Sequence, residues 1–184
     1  MARLPAVTRD QLPAEFREAF DQVLEANGGQ VSGPTSITVN SPEMAKRRGH
    51  LTSYLRYETT ISQNFLELAI ITAARAMDCP YVWNAHAPAA RRAGVSDALI
   101  DALRERKPLP SMSPQESALV GYGQEFYRTH KVSDSTFQAA LDQFGSQHLV
   151  ELTALMGHYA QTAFILNSFD VQLPDGTTEP VLPV

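Results

Sequence analysis

Glu67, Cys79 and His86 are the residues of this chain whose types and spacing could do chemistry. Cys79 is the only cysteine. It sits directly before a proline in the stretch "DCPYVWNAHAP" and precedes His86 by seven residues. On a helix a seven-residue step leaves side chains roughly 20° apart in angle and about 10 Å apart along the axis. Thiol and imidazole therefore share a face two turns apart, with Val82 between them on the same stripe. If the preceding helix folds back at Asp78-Cys79, Glu67 comes down to a level within about one turn of His86. A helix start lowers a thiol pKa through its dipole and free N–H groups. A neutral histidine exchanges protons near neutral pH, and a carboxylate can orient it or act as a base itself. Thiol chemistry and acid–base chemistry are both open to this trio.

Each residue also has a packing explanation. A free cysteine is among the most buried residue types and is usually inert. His86 lies two residues before Pro88, which cannot bond the carbonyl of Asn84, so it could simply mark a helix break. Glu67 fits packing least well, because an acidic side chain inside "NFLELAII" must find a partner or reach water. A subunit-interface salt bridge, to Arg75 or Arg91, would satisfy it without any catalysis. Tyr81 and Trp83 are expected as aromatics of the core or of a substrate pocket wall.

Helices must position these groups. "PAEFREAFDQVLEAN" repeats apolar residues at helical spacing and stops at Gly28-Gly29. "GQVSGPTSITVNS" reads as a loop, with a short extended piece at 37–39. Ser41 and Pro42 open a helix that runs to about Tyr57, weakened at Gly49. From Ser62 the chain is helical and apolar nearly all round, the mark of a buried helix, and is expected to end at Cys79. Pro80 then starts a helix with Cys79 at the N-cap and Gly94 as its stop. Ser96 opens a short helix closed by Pro108 and Pro110. Ser113-Pro114 opens another, in which Gly121 and Gly123 signal close contact with a neighbour. "SDSTFQAALDQFG" and "SQHLVELTALMGHYAQTAFILNSF" complete the series, followed by an irregular arm, "QLPDGTTEPVLPV". No period-two alternation is long enough for a sheet, so the expected fold is all-α, with about seven or eight helices in one domain over residues 1–184.

Bulk properties exclude several classes. A net charge of −5 and no basic tail argue against nucleic acid as a partner. The most apolar stretch is broken by Glu67 and Arg75 and falls short of the roughly 20 residues a bilayer needs, so no membrane partner is expected. A lone cysteine and the absence of a signal-peptide pattern point to the cytoplasm. No H-E-x-x-H, multi-cysteine or clustered-carboxylate pattern offers a metal site, and no glycine-rich loop suggests a nucleotide, so neither metal nor cofactor is expected. His130 is read as a helix-end cap, His148 as exposed, and His158 as core or a second pocket wall.

Glu67, eleven residues, then "CPYVWNAHAP" resembles the carboxymuconolactone decarboxylase family, which includes the AhpD-type alkylhydroperoxidases. The similarity runs from roughly residue 35 to 173 and takes in "MGHYAQTAFILNSFDVQLPDG" near the end. It implies an all-helical, AhpD-like subunit assembled as a homotrimer or homohexamer, with the active centre near a subunit contact. In the peroxidase branch the glutamate matches Glu67, the first cysteine Cys79 and the histidine His86. The second cysteine is Val82 here, which removes the resolving thiol of a dithiol cycle, and the histidine between the two cysteines is Tyr81. A one-cysteine peroxidase with peroxiredoxin activity and an external thiol is the alternative the resemblance leaves. The decarboxylase branch needs no thiol and implies acid–base work by Glu67 and His86 on a small carboxylated lactone or ring-cleavage acid. Lys46, Arg47, Arg48, His50 and Arg56 include residues, Arg56 foremost, that could bind the substrate carboxylate, while most of them are expected on a solvated or interface helix face. A non-catalytic oligomer that binds an apolar ligand or a partner protein is the third reading.

Overall fold

The computed structural model describes residues 2–184. Among them the regular structure is entirely helical: α1 (Ala14–Ala26), α2 (Pro34–Thr38), α3 (Pro42–Ser53), α4 (Gln63–Ala76), α5 (Pro80–Arg92), α6 (Asp97–Glu105), α7 (Pro114–Thr129) and α8 (Asp134–Ser168). A 3-10 turn at Arg9–Gln11 and a π-helical turn at Tyr54–Glu58 add to these. The chain forms two compact units, one of residues up to Glu58 with Phe164–Gln172, the other of Thr59–Ala163 with Leu173–Val184.

The first unit is built on α1 and α3. The helical spacing in α1 puts Phe20 and Val23 into a small core with Leu12, Val39 and Ala45, against which Val7, Leu24 and Val31 pack. Gly28 and Gly29 end α1 with φ of 62° and 76°, and the Gly29 amide donates back to the Leu24 carbonyl at 2.8 Å. The extended piece expected at 37–39 is instead the end of α2 and its C-cap. Pro34 presets the first helical φ, and Ile37, Thr38 and Val39 are all buried, so packing overrides the strand preference of β-branched residues. Pro42 opens α3 as expected, while the last turn of that helical run widens to the π form at Tyr54. Arg3 holds the 164–172 segment through its amide to the Phe169 carbonyl and its guanidinium to the Ser168 carbonyl.

The second unit is centred on α4, every residue of which from Leu66 to Arg75 is buried. It packs against α5 and α7, and against α6 to a lesser extent. α4 ends at Ala76, three residues before the expected stop: Asp78 takes a left-handed φ of 47°, and the Cys79 amide closes the end on the Ala74 carbonyl at 3.0 Å. A short polar side chain tolerates that conformation, and here its carboxylate is held by Arg75 and Arg106. α6 likewise ends before its prolines, at Arg106 with φ 53°. Ser113 and Glu116 form a reciprocal capping box at the start of α7. A Cβ on Gly123 would lie 3.0 Å from Met156 Cε and 3.1 Å from Thr72 Cγ2, so this glycine permits a close approach, whereas Gly121 faces open space. Gly145, with φ 70° and ψ 171°, breaks α8 into the two helices that the sequence suggests.

The C-terminal arm is irregular but attached. Asn84 donates to the Glu179 carbonyl at 2.8 Å, Arg91 pairs with the Glu179 carboxylate at 3.1 Å, Arg75 donates to the Pro183 carbonyl at 2.8 Å, and Leu182 is buried.

Candidate active site

The short link at Met77–Cys79 lets α5 return along α4, and this sets Glu67 opposite His86. The His86 Nδ1 to Glu67 Oε2 distance is 2.8 Å. Glu67 is 1% exposed and His86 8% exposed, so the bond lies out of bulk water, where it is electrostatically stronger. Gln63, one turn earlier on α4, donates its Nε2 to the other carboxylate oxygen at 3.0 Å. With Nδ1–H donated to the carboxylate, Nε2 is the nitrogen through which His86 can accept or deliver a proton. Tyr159 of α8 packs edge-on against the imidazole, with ring centroids 4.9 Å apart, and also meets His158 at 5.6 Å. The ring of His86 is thus fixed by a carboxylate at one nitrogen and an aromatic wall beside it.

Within this chain the carboxylate of Glu67 meets His86, and the two arginines pair elsewhere. Arg75 pairs with Asp78, and Arg91 with Asp97, Asp101 and Glu179. The alternative of a simple helix break at His86 also gives way, since α5 continues through Pro88 to Arg92.

Cys79 is the N-cap of α5 and is fully buried. Burial pushes its thiol pKa up, and the hydrogen bonds offered by the backbone N–H groups of Val82 and Tyr81 offset this only in part. The helix start acts in the expected direction, and desolvation outweighs it. Tyr81 is half-buried and its phenol is also pushed up by burial. Trp83 is fully buried, and its indole N–H has no hydrogen-bond partner. Arg56 belongs to the first unit, where its guanidinium carbon sits 5.1 Å from the Tyr57 ring centroid. Arg47 of the same unit is an exposed partner of Glu43, one turn away, as befits a solvated helix face.

Three further histidines take structural places. His130 caps α7 in a left-handed conformation, His148 is half-buried and bonded to the Thr60 hydroxyl at 2.8 Å, and His158 is buried. No group of three or more His, Cys, Asp or Glu side chains among the described residues could hold a metal ion. No helix among them is long and apolar enough to cross a membrane.

Gln63 and Tyr159 are the contacts that reading the sequence did not single out. Gln63 was visible in principle as a polar residue one turn before a buried acid. Tyr159 lies in the "MGHYA" block, where nothing in the sequence marks the ring that meets His86.

Comparison with known proteins gives a consistent picture. The model of the carboxymuconolactone decarboxylase family matches residues 42–125, which include Glu67, Cys79 and His86. No curated protein matches the sequence. Among solved structures, the alkylhydroperoxidase AhpD core of an uncharacterised peroxidase-related protein from Ralstonia eutropha has 16% identity and a TM-score of 0.71, covering 95% of this chain and 93% of that one. A protein of unknown function from Agrobacterium tumefaciens, a candidate antioxidant defence protein AhpD, has 22% identity and a TM-score of 0.67, covering 74% of this chain and 94% of that one. The debrominase Bmp8, as a cysteine-to-alanine variant with 2,3,4-tribromopyrrole, has 14% identity and a TM-score of 0.70, covering 93% of this chain and 91% of that one. At these identities the likeness is one of fold. Residues 42–125 therefore carry the sequence of the carboxymuconolactone decarboxylase family, and the chain has the all-helical AhpD-like fold.

Proposed function

We propose that the protein is a cofactor-free enzyme that performs acid–base chemistry, decarboxylation or a related step, on a small carboxylated lactone or ring-cleavage acid in the cytoplasm. The observation that carries this reading is the buried Glu67–His86 bond, set beside a thiol that burial disfavours as an anion. When such a substrate loses CO2, the electron pair of the broken C–C bond spreads into the lactone carbonyl. A hydrogen-bond donor is needed there, and a proton must then reach carbon. His86 supplies the proton from Nε2, and Glu67 stabilises the imidazolium and holds its orientation. Tyr81 and Trp83 would line the substrate side of α5. The fold of Bmp8 holding a small brominated ring supports a small cyclic substrate.

Homo-oligomerisation, as a trimer or hexamer, is part of the proposal. Val150, Ala154 and Gly157 form an exposed stripe of apolar and small residues on one face of α8, suited to close approach by another helix. Light scattering tests it, and a monomer at working concentration would count against it.

The alternative reading, a one-cysteine peroxidase, draws on the two backbone N–H groups directed at Cys79 and on the likeness to AhpD structures. One experiment separates the two. CO2 release from a panel of carboxylated lactones is measured for the wild type, Glu67→Gln, His86→Ala and Cys79→Ala. The proposed chemistry survives only in the first and last. Peroxide turnover with an added thiol that vanishes in Cys79→Ala would instead establish the peroxidase. Binding without turnover in every case would leave a non-catalytic binding protein.

A further inference from the structure

A second concave site lies within the second unit, between the C-terminal half of α4, the end of α6 and the last turns of α7. It is a cavity of about 580 Å³, and neither Glu67, Cys79 nor His86 lines it. That volume falls within the roughly 300–1,000 Å³ of small-molecule sites. Four cationic side chains border it: Arg75, Arg106, Lys107 and Arg128. Leu103 and Tyr127 contribute apolar wall, and the Tyr127 hydroxyl is already committed to the Met156 carbonyl at 3.0 Å.

The charges here are unevenly matched. Arg75, 6% exposed, is locked by Asp78 and by the carbonyls of Arg104 and Pro183, while its Nε–H has no partner. Arg106 shares Asp78, and Lys107 shares Glu105 with Arg104. Arg128 has no ion-pair partner among the described residues, and the acid acting on it is Glu125 at longer range. Five cations thus meet three carboxylates, in a chain whose net charge is −5. Two positive charges remain uncompensated beside an apolar wall. Guanidinium groups favour planar or tetrahedral oxyanions, which accept two parallel hydrogen bonds.

We propose that this cavity is a binding site for a small organic dianion, an apolar body carrying a phosphate ester or two carboxylates, separate from the Glu67–His86 centre. The anion enters between Arg106, Lys107 and Arg128 and rests its body on Leu103 and Tyr127.

The full-length protein is titrated with phenyl phosphate, with phthalate and with neutral benzamide at mildly alkaline pH and low salt, and followed by amide NMR. Saturable shifts by a dianion in residues 102–109 and 124–128, absent with benzamide, are expected. The tighter of the two dianions distinguishes a phosphate ester from a dicarboxylate as the natural headgroup. The double variant Lys107→Gln, Arg128→Gln alters exposed side chains and should keep its fold and melting temperature while weakening the dissociation constant roughly tenfold or more. Glu67→Gln should bind as the wild type does. Three outcomes overturn the proposal: no saturable binding of either dianion, binding that the double variant leaves unchanged, or binding lost in Glu67→Gln.

Discussion

Glu67 is a carboxylate with 1% exposure, and it is tolerable there because Gln63 and His86 both donate to it. Glu67→Gln keeps the shape but removes the charge that stabilises an imidazolium. Turnover of an accepted substrate is expected to fall by ~10² or more in kcat, with far less change in KM. Steady-state kinetics on the variant checks this, and a kcat near the wild-type value would remove Glu67 from the mechanism. Cys79 has a pH signature of its own. Its folded pKa lies above the unfolded one, so folding favours the protonated thiol. That contribution is fully present below the unfolded thiol pKa and is lost as pH rises through the interval up to the folded value. Thermal stability should therefore decline on moving to alkaline pH more steeply in the wild type than in Cys79→Ala, and alkylation of the native protein should be slow at neutral pH. The residues of the pair were legible in the sequence, because a lone acid in an apolar helix demands a partner. The fold-back of one helix on the next also places Glu67 within about one turn of His86, but the direct bond to Nδ1 depends on how closely α5 packs on α4, which residue types do not specify.

Helix boundaries illustrate the same division. Starts were readable, because Pro42, Pro80 and Ser113-Pro114 carry local chemistry that acts within one turn. Ends were read too late, at Cys79 and at Pro108, because Asp78 and Arg106 enter left-handed conformations that nothing in their own residue types compels. Asp78 is held there by Arg75 of α4 and by Arg106, the residue that caps the end of α6. The glycines of α7 look equivalent in sequence and are not. Gly123→Ala forces Met156 or Thr72 to move and should destabilise by about 1–3 kcal/mol. Gly121→Ala meets open space on a helix and should stabilise by roughly 0.5–1 kcal/mol. Urea unfolding of the two single variants should shift the midpoint in opposite directions.

At the scale of the whole molecule, the all-helical class followed from the absence of alternation, while the attachment of the C-terminal arm did not follow from anything in "QLPDGTTEPVLPV". Its hold comes from distant groups, Arg75, Asn84 and Arg91, whose donors meet the arm's carbonyls and Glu179. Truncation after Thr178 would expose the surface under Leu182 and strip buried donors of acceptors. A loss of at least about 2 kcal/mol is expected, with no change in helical circular dichroism at low temperature. An arm that could be removed without cost would show that these bonds are incidental.

Trp83 is the only tryptophan, sits four residues after Cys79 and three before His86, and is fully buried with an unpartnered indole N–H. The chain therefore carries its own optical reporter in the helix that bears the candidate catalytic imidazole. Its emission should be blue-shifted in the native state, move to the red in a single step when α5 loses its packing, and resist quenching by dissolved iodide. Because no other indole contributes, any change in that emission on adding a small acid would come from α5, so the substrate search can begin in a fluorimeter before any reaction product is known.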